Sequence, residues 1–440
     1  MRAARDAAGR YRCPDGLDRS RIGLTTPGEN YAFCEGVRAF AGVPMTELAA
    51  EFGTPLYVYD AAQTRAAWRA YAQAFGGRAH RICYAVKANH NPHLLAALVE
   101  LGSGFDIVSG GELALVLDAG ADPGEIVFSG VGKTRAELIA ALDAGIGCFN
   151  VESAAELELL DELAAARGLR APVALRVNPD VDPKTHPYIA TGLSENKFGI
   201  AMDEARDLYR RAARMPGLET VGVACHIGSQ LTDITPMVDA AALLAELVGA
   251  LTSDGIGLEH VDLGGGLGVD YEGEAPPAPA ELVAKVAPLF DEALTLCVEP
   301  GRSIVAAAGT LITEVLFTKT NGDRKFVVVD AAMNDLMRPS LYGARHRIHN
   351  VRAETAPRRC DVVGPVCETG DFLGRDVVLD ATAGDLLAVA DVGAYGYVMA
   401  SNYNVRGRPA EVWVDEGRAV LSRRRETLAD MRRLDQEPHG

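Results

Sequence analysis

A lysine closing an apolar run is the first residue in this sequence with the means for covalent chemistry. Lys87 follows the apolar residues of ICYAVKAN (82–89). In that setting an ammonium must snorkel to water or sit in a polar pocket. It is either a solvated strand-end lysine or an amine poised to form a Schiff base, because burial favours the neutral, nucleophilic form. The glycines of GGGLG (264–268) permit close backbone approach to an anion, with N–H groups as donors, although such turns are common. HIGS (226–229) offers an imidazole and a hydroxyl, where a satisfied core histidine is the plainer reading. EPGR (299–302) brings an acid, a rigid turn and a guanidinium, which alone could be a salt-bridged turn. Together, Lys87, the glycine loop and Glu299 meet three needs of pyridoxal phosphate. The cofactor requires a lysine for its aldehyde, N–H donors for its phosphate and an acid for its pyridinium nitrogen. A second group lies downstream, where Cys367 and Glu368 follow DVVGPV (361–366), with Asp371 close by. Cys367 is either a small buried hydrophobe or a thiol that protonates a carbanion. Tyr395, Tyr397 and Tyr403 of GAYGYVMASNY could all be core aromatics, and only Tyr395 is assigned a direct role.

These residues need a frame that gathers strand ends. Short β-prone runs alternate with Ala/Leu-rich stretches of helical period from about 56 to 305: residues 82–89, 104–110, 125–130, 147–153, 173–179, 221–229, 260–266 and 295–302. Between them, HLLAALVELG (93–102), GELALVLDAG (111–120) and SAAELELLDELAAARG (153–168) repeat apolar residues every three to four positions, as amphipathic helices do. Apolar strands separated by helices predict βα units and a parallel sheet. Eight such units match an α/β fold of the (β/α)8 TIM-barrel type, with an open doubly wound sheet as the alternative. After 305 the rhythm changes to strand-like runs divided by Gly, Asp and Asn turns, which predicts a mostly antiparallel, β-barrel-like C-terminal domain. The expected division is 1–55 as an N-terminal segment packing in part on the β domain, 56–305 as the barrel, and 306–440 as the β domain. TPLYVYD (54–60) can add a strand to the latter. EGEAPPAPAEL (272–282) reads as a loop within the barrel, and AVLSRRRETLADMRRLD (419–435) as a charged surface terminus of helical spacing.

The chain has 440 residues, 48% of them hydrophobic and 23% charged, so it can bury a large core. A net charge of −17 opposes attraction to phosphate backbones and anionic bilayers, which disfavours nucleic-acid and membrane partners. No run of about 18 apolar residues and no signal-peptide core in the first 30 is apparent. Eight cysteines without a CxxC pair predict reduced thiols and no metal site. A large, soluble, acidic cytoplasmic protein is the expectation.

YAVKAN, GFDIVSGGEL, NPDVDPKTHPYIATGLSENKFGI, HIGSQLTD, DLGGGLG, EPGRSIV, DAAMNDLMRPSLYGA, CETGDF and GAYGYVMASNYN occur in one order along the chain. In this it resembles the diaminopimelate decarboxylases, which are fold-type III, alanine-racemase-like pyridoxal-phosphate enzymes. The resemblance covers about residues 45–432 and leaves out the first 30 or so. Thr369 stands where the family usually has serine in Cys-Glu-Ser-Gly-Asp, and the hydroxyl is retained.

The resemblance implies a role for each position. Lys87 would hold pyridoxal 5'-phosphate, Asp106 would lie beside it, and His226 would stack on the pyridine ring. Ser229, Gly264, Gly265 and Gly266, with Gly301 and Arg302, would hold the phosphate, and Glu299 would pair with the ring nitrogen. Cys367 would donate the proton. Arg302, Arg338, Tyr342 and Glu368 would bind substrate, and Tyr395 would touch both substrate and cofactor. The implied reaction is decarboxylation of meso-2,6-diaminopimelate to L-lysine and CO2, the last step of lysine biosynthesis. The implied assembly is a homodimer with shared active sites, Cys367 and Glu368 coming from the other subunit. Still open are a same-fold decarboxylase of another amino acid or of a carrier-protein-bound acyl substrate, a racemase, and a non-catalytic regulator. The Cys-Glu-Thr-Gly-Asp motif weighs against a racemase, and intact Lys87, Glu299 and Cys367 weigh against a regulator.

Overall fold

The computed structural model describes residues 11, 31–34, 36–182 and 196–435. Most of the NPDVDPKTHPYIATGLSENKFGI motif and of residues 1–30 therefore lies outside the described residues. The chain forms two compact units, one of 65–269 and 276–304, the other of 1–64, 270–275 and 305–440.

The first unit is the barrel. Its eight parallel strands are His80–Ala85, Gly104–Ile107, Ile126–Phe128, Cys148–Val151, Ala171–Asn178, Leu218–Ala224, His260–Asp262 and Thr295–Val298. Each pairs with the next in sequence, and the last returns to the first through Leu296↔His80. Buried on both faces, these strands read as continuous apolar runs, as a barrel wall requires. Short polar signals start the helices between them. The Ser109 and Ser153 side chains accept the first-turn N–H groups of Glu112 and Glu156, and Thr134 and Glu137 form a capping box. Helix Thr235–Ser253 is long and apolar enough to cross a membrane by length and composition, contrary to the reading of the sequence. It is a barrel helix with Met237, Ala240, Leu244, Leu247 and Leu251 buried.

The second unit is a mixed, mostly antiparallel sheet around the 13-residue strand Gly309–Asn321. The first half of that strand lies between Leu56–Asp60 and Leu386–Val389; past a bulge at Val315/Phe317 it pairs with Arg324–Val329. The unit boundary consequently falls after Thr64, and not at the expected 56, because strand Leu56–Asp60 is hydrogen-bonded into this sheet. The helical expectation for 419–435 is overturned over its first residues. Arg418–Arg423 is a strand, turned back on Ala410–Asp415 through Glu416 and Gly417, both at positive φ, and tied by Arg423 Nη1 to the buried Glu411 carboxylate at 2.6 Å. Segment 270–275 is not a loop confined to the barrel. It belongs to the second unit, held by an ion pair of 2.7 Å between Asp270 and Arg347. Among the described cysteines six are free, but Cys34 is disulfide-bonded, which departs from the expectation of uniformly reduced thiols.

Candidate active site

In a barrel the loops after the C-terminal strand ends collect the chemistry. Lys87 lies in the 3-10 turn Val86–Ala88 directly after the first barrel strand, and not within the strand. Strand pairing sets Ala85 opposite Asp106. The Lys87 Nζ donates to Asp106 Oδ2 at 2.6 Å, while the other carboxylate oxygen, Oδ1, is buried with no hydrogen-bond partner among the described residues. Gly301 packs against the same turn; a Cβ there would stand 2.9 Å from the Ala88 methyl.

Glu299 follows the last strand and is buried. Its Oε1 accepts from Asn150 Nδ2 at 3.2 Å and Ser129 Oγ at 3.5 Å, and its side chain is hydrogen-bonded to that of Asp262. Asp262 Oδ1 in turn accepts the Gly264 N–H at 2.8 Å, which joins the acid to the glycine loop. Burial, then the charges of Asp106 and Asp262, push the Glu299 carboxyl well above the usual carboxylate range. Burial pushes Asp262 up as well. Three buried acids thus face one lysine, and a cation beside Glu299 would relieve their repulsion. A protonated pyridine nitrogen is such a cation.

The glycine loop is a cradle that no larger residue could line. Gly264 and Gly266 have φ of +67° and +124°, and a Cβ on Gly265 would fall 2.2 Å from the Glu299 carbonyl oxygen. We expect Gly265→Ala to lower both thermal stability and retention of pyridoxal phosphate, costing about 1–3 kcal/mol by overpacking. Melting of the purified protein, read beside its cofactor content, checks this. The Gly265 N–H donates to His226 Nδ1 at 3.3 Å. Burial first, then the Arg176 and Lys87 cations, hold the His226 ring well below its ordinary pKa, which favours the neutral imidazole. The Ser229 hydroxyl accepts from Arg302 Nη2 at 3.0 Å, at the start of helix Arg302–Val305. The unpartnered Asp106 oxygen, the excess of buried acid and the glycine cradle fit pyridoxal phosphate.

The remaining candidates belong to the second unit. Arg338 and Tyr342 open and close helix Arg338–Tyr342. The Arg338 guanidinium lies 4.5 Å over the Tyr271 ring and donates through Nη1 to His346 Nε2 at 2.8 Å. Cys367 and Glu368 sit on an exposed loop. That loop is pinned from below by the buried Asp371, whose two oxygens accept the Met333 and Val366 N–H groups at 2.7 and 2.8 Å. The Cys367 N–H donates to Asn404 Oδ1 at 2.9 Å. Tyr395 is half-buried with φ of +56°, while Tyr397 stands edge-on to Tyr57 and Tyr403 is exposed.

Sequence reasoning missed Asp262, Asn150 and Ser129 around Glu299. It also missed the buried Arg176–Glu152 pair at 2.7 Å, whose carboxylate takes the Gly199 N–H. The available signal was a polar residue at or just past an otherwise apolar strand, as Asp262 is in HVDLGGG and Asn150 in GCFNVES.

A lysine held on a buried aspartate, a buried glutamate and a glycine loop at the strand ends of a parallel barrel are the parts a pyridoxal-phosphate enzyme needs. A model of the pyridoxal-dependent decarboxylases, covering their pyridoxal-binding domain, matches residues 61–306. The diaminopimelate decarboxylase of Pseudomonas aeruginosa is 56% identical over 392 residues, 89% of this chain and 94% of its own. Two solved diaminopimelate decarboxylases complexed with L-lysine superpose closely. That of Helicobacter pylori does so with a TM-score of 0.87 and 44% identity over 89% of this chain and 99% of its own. That of M. jannaschii does so with 0.90 and 40% over 94% and 99%. The chain belongs to the diaminopimelate decarboxylase family. It is a carboxy-lyase that uses pyridoxal 5'-phosphate.

Proposed function

We propose that the chain releases one carboxylate of meso-2,6-diaminopimelate as CO2 and yields L-lysine, acting as a cytoplasmic homodimer with shared active sites. The observation that carries the reading is the half-buried Lys87 held on the buried Asp106, with the buried Glu299 near by, in a chain 56% identical to a diaminopimelate decarboxylase. When bound, pyridoxal phosphate supplies a protonated ring that accepts the electron pair left by the departing carboxylate. Lys87 would hold the aldehyde carbon, Asp106 would fix the lysine, and Glu299, backed by Asp262 and Asn150, would keep the ring nitrogen protonated. His226 would cover one face of the ring. Ser229, Gly264, Gly265, Gly266, Gly301 and Arg302 would anchor the phosphate. Cys367, from the partner subunit, would deliver a proton to the carbon that has lost CO2. CO2 release from meso-diaminopimelate, with the L,L isomer as control, tests the reading; release from lysine or ornithine but not from meso-diaminopimelate would overturn it.

Substrate choice would reside far from the reacting carbon. Simple diamine precursors share the α-amino acid head with diaminopimelate and lack only its distal carboxylate. Arg302 and Arg338 would meet that carboxylate and Glu368 the distal ammonium, with Tyr342 and Tyr395 closing the site. A guanidinium matches a carboxylate bidentately, and a substrate lacking the group leaves it unpaired. Arg338→Leu is therefore expected to weaken kcat/KM for meso-diaminopimelate by about 2–4 kcal/mol and to cost much less for residual turnover of lysine. Equal losses for both substrates would make Arg338 structural.

A further inference from the structure

We infer that His346 and Tyr271 form a clamp that orients Arg338 for the distal carboxylate, His346 serving as a positioning residue. The inference rests on the reading of Arg338 as a substrate-binding residue. Three separate stretches of the second unit converge on this guanidinium. The helix Arg338–Tyr342 carries it, the 270–275 segment places the Tyr271 ring beneath it at 4.5 Å, and the stretch ahead of strand Ile348–Asn350 brings His346. His346 is 5% exposed, as is Arg338.

The tautomer of His346 is set from behind. Its Nδ1–H donates to the Ala390 carbonyl at 2.9 Å, which leaves the Nε2 lone pair facing Arg338 Nη1 at 2.8 Å. The ring also stands edge-on to Tyr271, with centroids 5.2 Å apart and planes at 77°. A guanidinium lying over one ring and hydrogen-bonded to another is restrained about its terminal bonds. The clamp is itself braced. Arg347, next to His346, donates to the Asp270 carbonyl at 3.1 Å and pairs with its carboxylate at 2.7 Å; Asp391 completes the group at 3.3 Å. Residues 270 and 271 are thereby fixed to residues 346 and 347.

The energetic consequence is specific. A free arginine side chain samples many rotamers, and a bidentate contact requires one orientation of the fork. The clamp meets that cost before substrate arrives. A distal carboxylate is held alike in the ground and transition states, so losing the clamp should raise KM and spare kcat.

The test uses the holoenzyme with meso-diaminopimelate and a double-mutant cycle. His346→Ala is expected to raise KM about 5–50-fold with kcat within about threefold, in the range of coupling between contacting residues. His346→Gln, which returns an acceptor near the Nε2 position, is expected to recover most of that loss. In the Arg338→Leu background, His346→Ala should have no further effect. The absorbance of the bound cofactor should be unchanged in every variant, which separates this effect from unfolding. Should His346→Ala fail to fold, Tyr271→Leu removes the other jaw and is expected to raise KM in the same manner. An equal rise in KM in both backgrounds, or a fall in kcat alone, would overturn the clamp while leaving Arg338 as a substrate residue. If Arg338→Leu itself leaves kcat/KM intact, the parent reading and the clamp fail together.

Discussion

Replacing Lys87 by alanine is expected to abolish turnover and the absorbance near about 420 nm that a lysine-linked pyridoxal phosphate gives the purified protein. Lys87 stands in a tight turn at a strand end, with its Nζ 2.6 Å from Asp106 and its side chain 36% exposed. That exposure leaves a path by which an aldehyde can reach the amine. The same substitution removes the cation that faces Asp106, so some loss of stability should accompany the loss of activity. Lys87→Arg separates the two effects: it returns a positive charge opposite Asp106 but cannot bond covalently to an aldehyde. It should recover stability without the band or the turnover. Persistence of the band in Lys87→Ala, mapped by peptide analysis to another lysine, would refute the assignment.

The barrel was legible because strands buried on both faces must be apolar, and their helices must show one apolar stripe. All eight expected runs overlap a barrel strand, five of them containing it whole, although the chemistry-bearing residues at their ends mostly lie just past the hydrogen-bonded part. Lys87, Glu299 and the glycine loop were legible for a related reason: polar or conformationally permissive residues are costly beside a core unless something uses them. What was not legible depends on pairing over long sequence distances. Nothing local to AVLSRRR distinguishes a strand from a charged helix, and the decision rests on the Glu416–Gly417 turn and the buried Glu411 that Arg423 reaches. The transfer of 270–275 to the second unit depends on Arg347, far along the chain. His346 was invisible for the same reason, since its role requires both Tyr271 and Ala390. Asp262 is a different case. It precedes the glycine loop in plain view, but its bond to Glu299 needs the seventh and eighth strands to be neighbours.

Cys367→Ala is expected to keep the cofactor spectrum and to lower kcat by about 10²–10⁴-fold, the usual worth of a positioned general acid. The two effects should separate because, Tyr395 apart, the residues that would hold pyridoxal phosphate lie in the barrel unit, whereas Cys367 belongs to the other. Its loop is exposed within one chain, yet Asp371 and Asn404 hold it in a defined form. A side chain presented outward on an ordered loop suits a role in a second copy's site. Mixing subunits of Cys367→Ala with those of Lys87→Ala tests that role directly. If each site takes its lysine from one subunit and its thiol from the other, a mixed dimer contains one site with both residues intact and one with neither. Up to half of wild-type activity per mixed dimer should then return, once exchange has been verified by mass. If both residues serve the same subunit's site, every site in the mixed dimer lacks one of them, and no activity returns. That outcome would leave Cys367 as a proton donor only if the single variant still loses kcat while keeping its band, and it would refute the shared site.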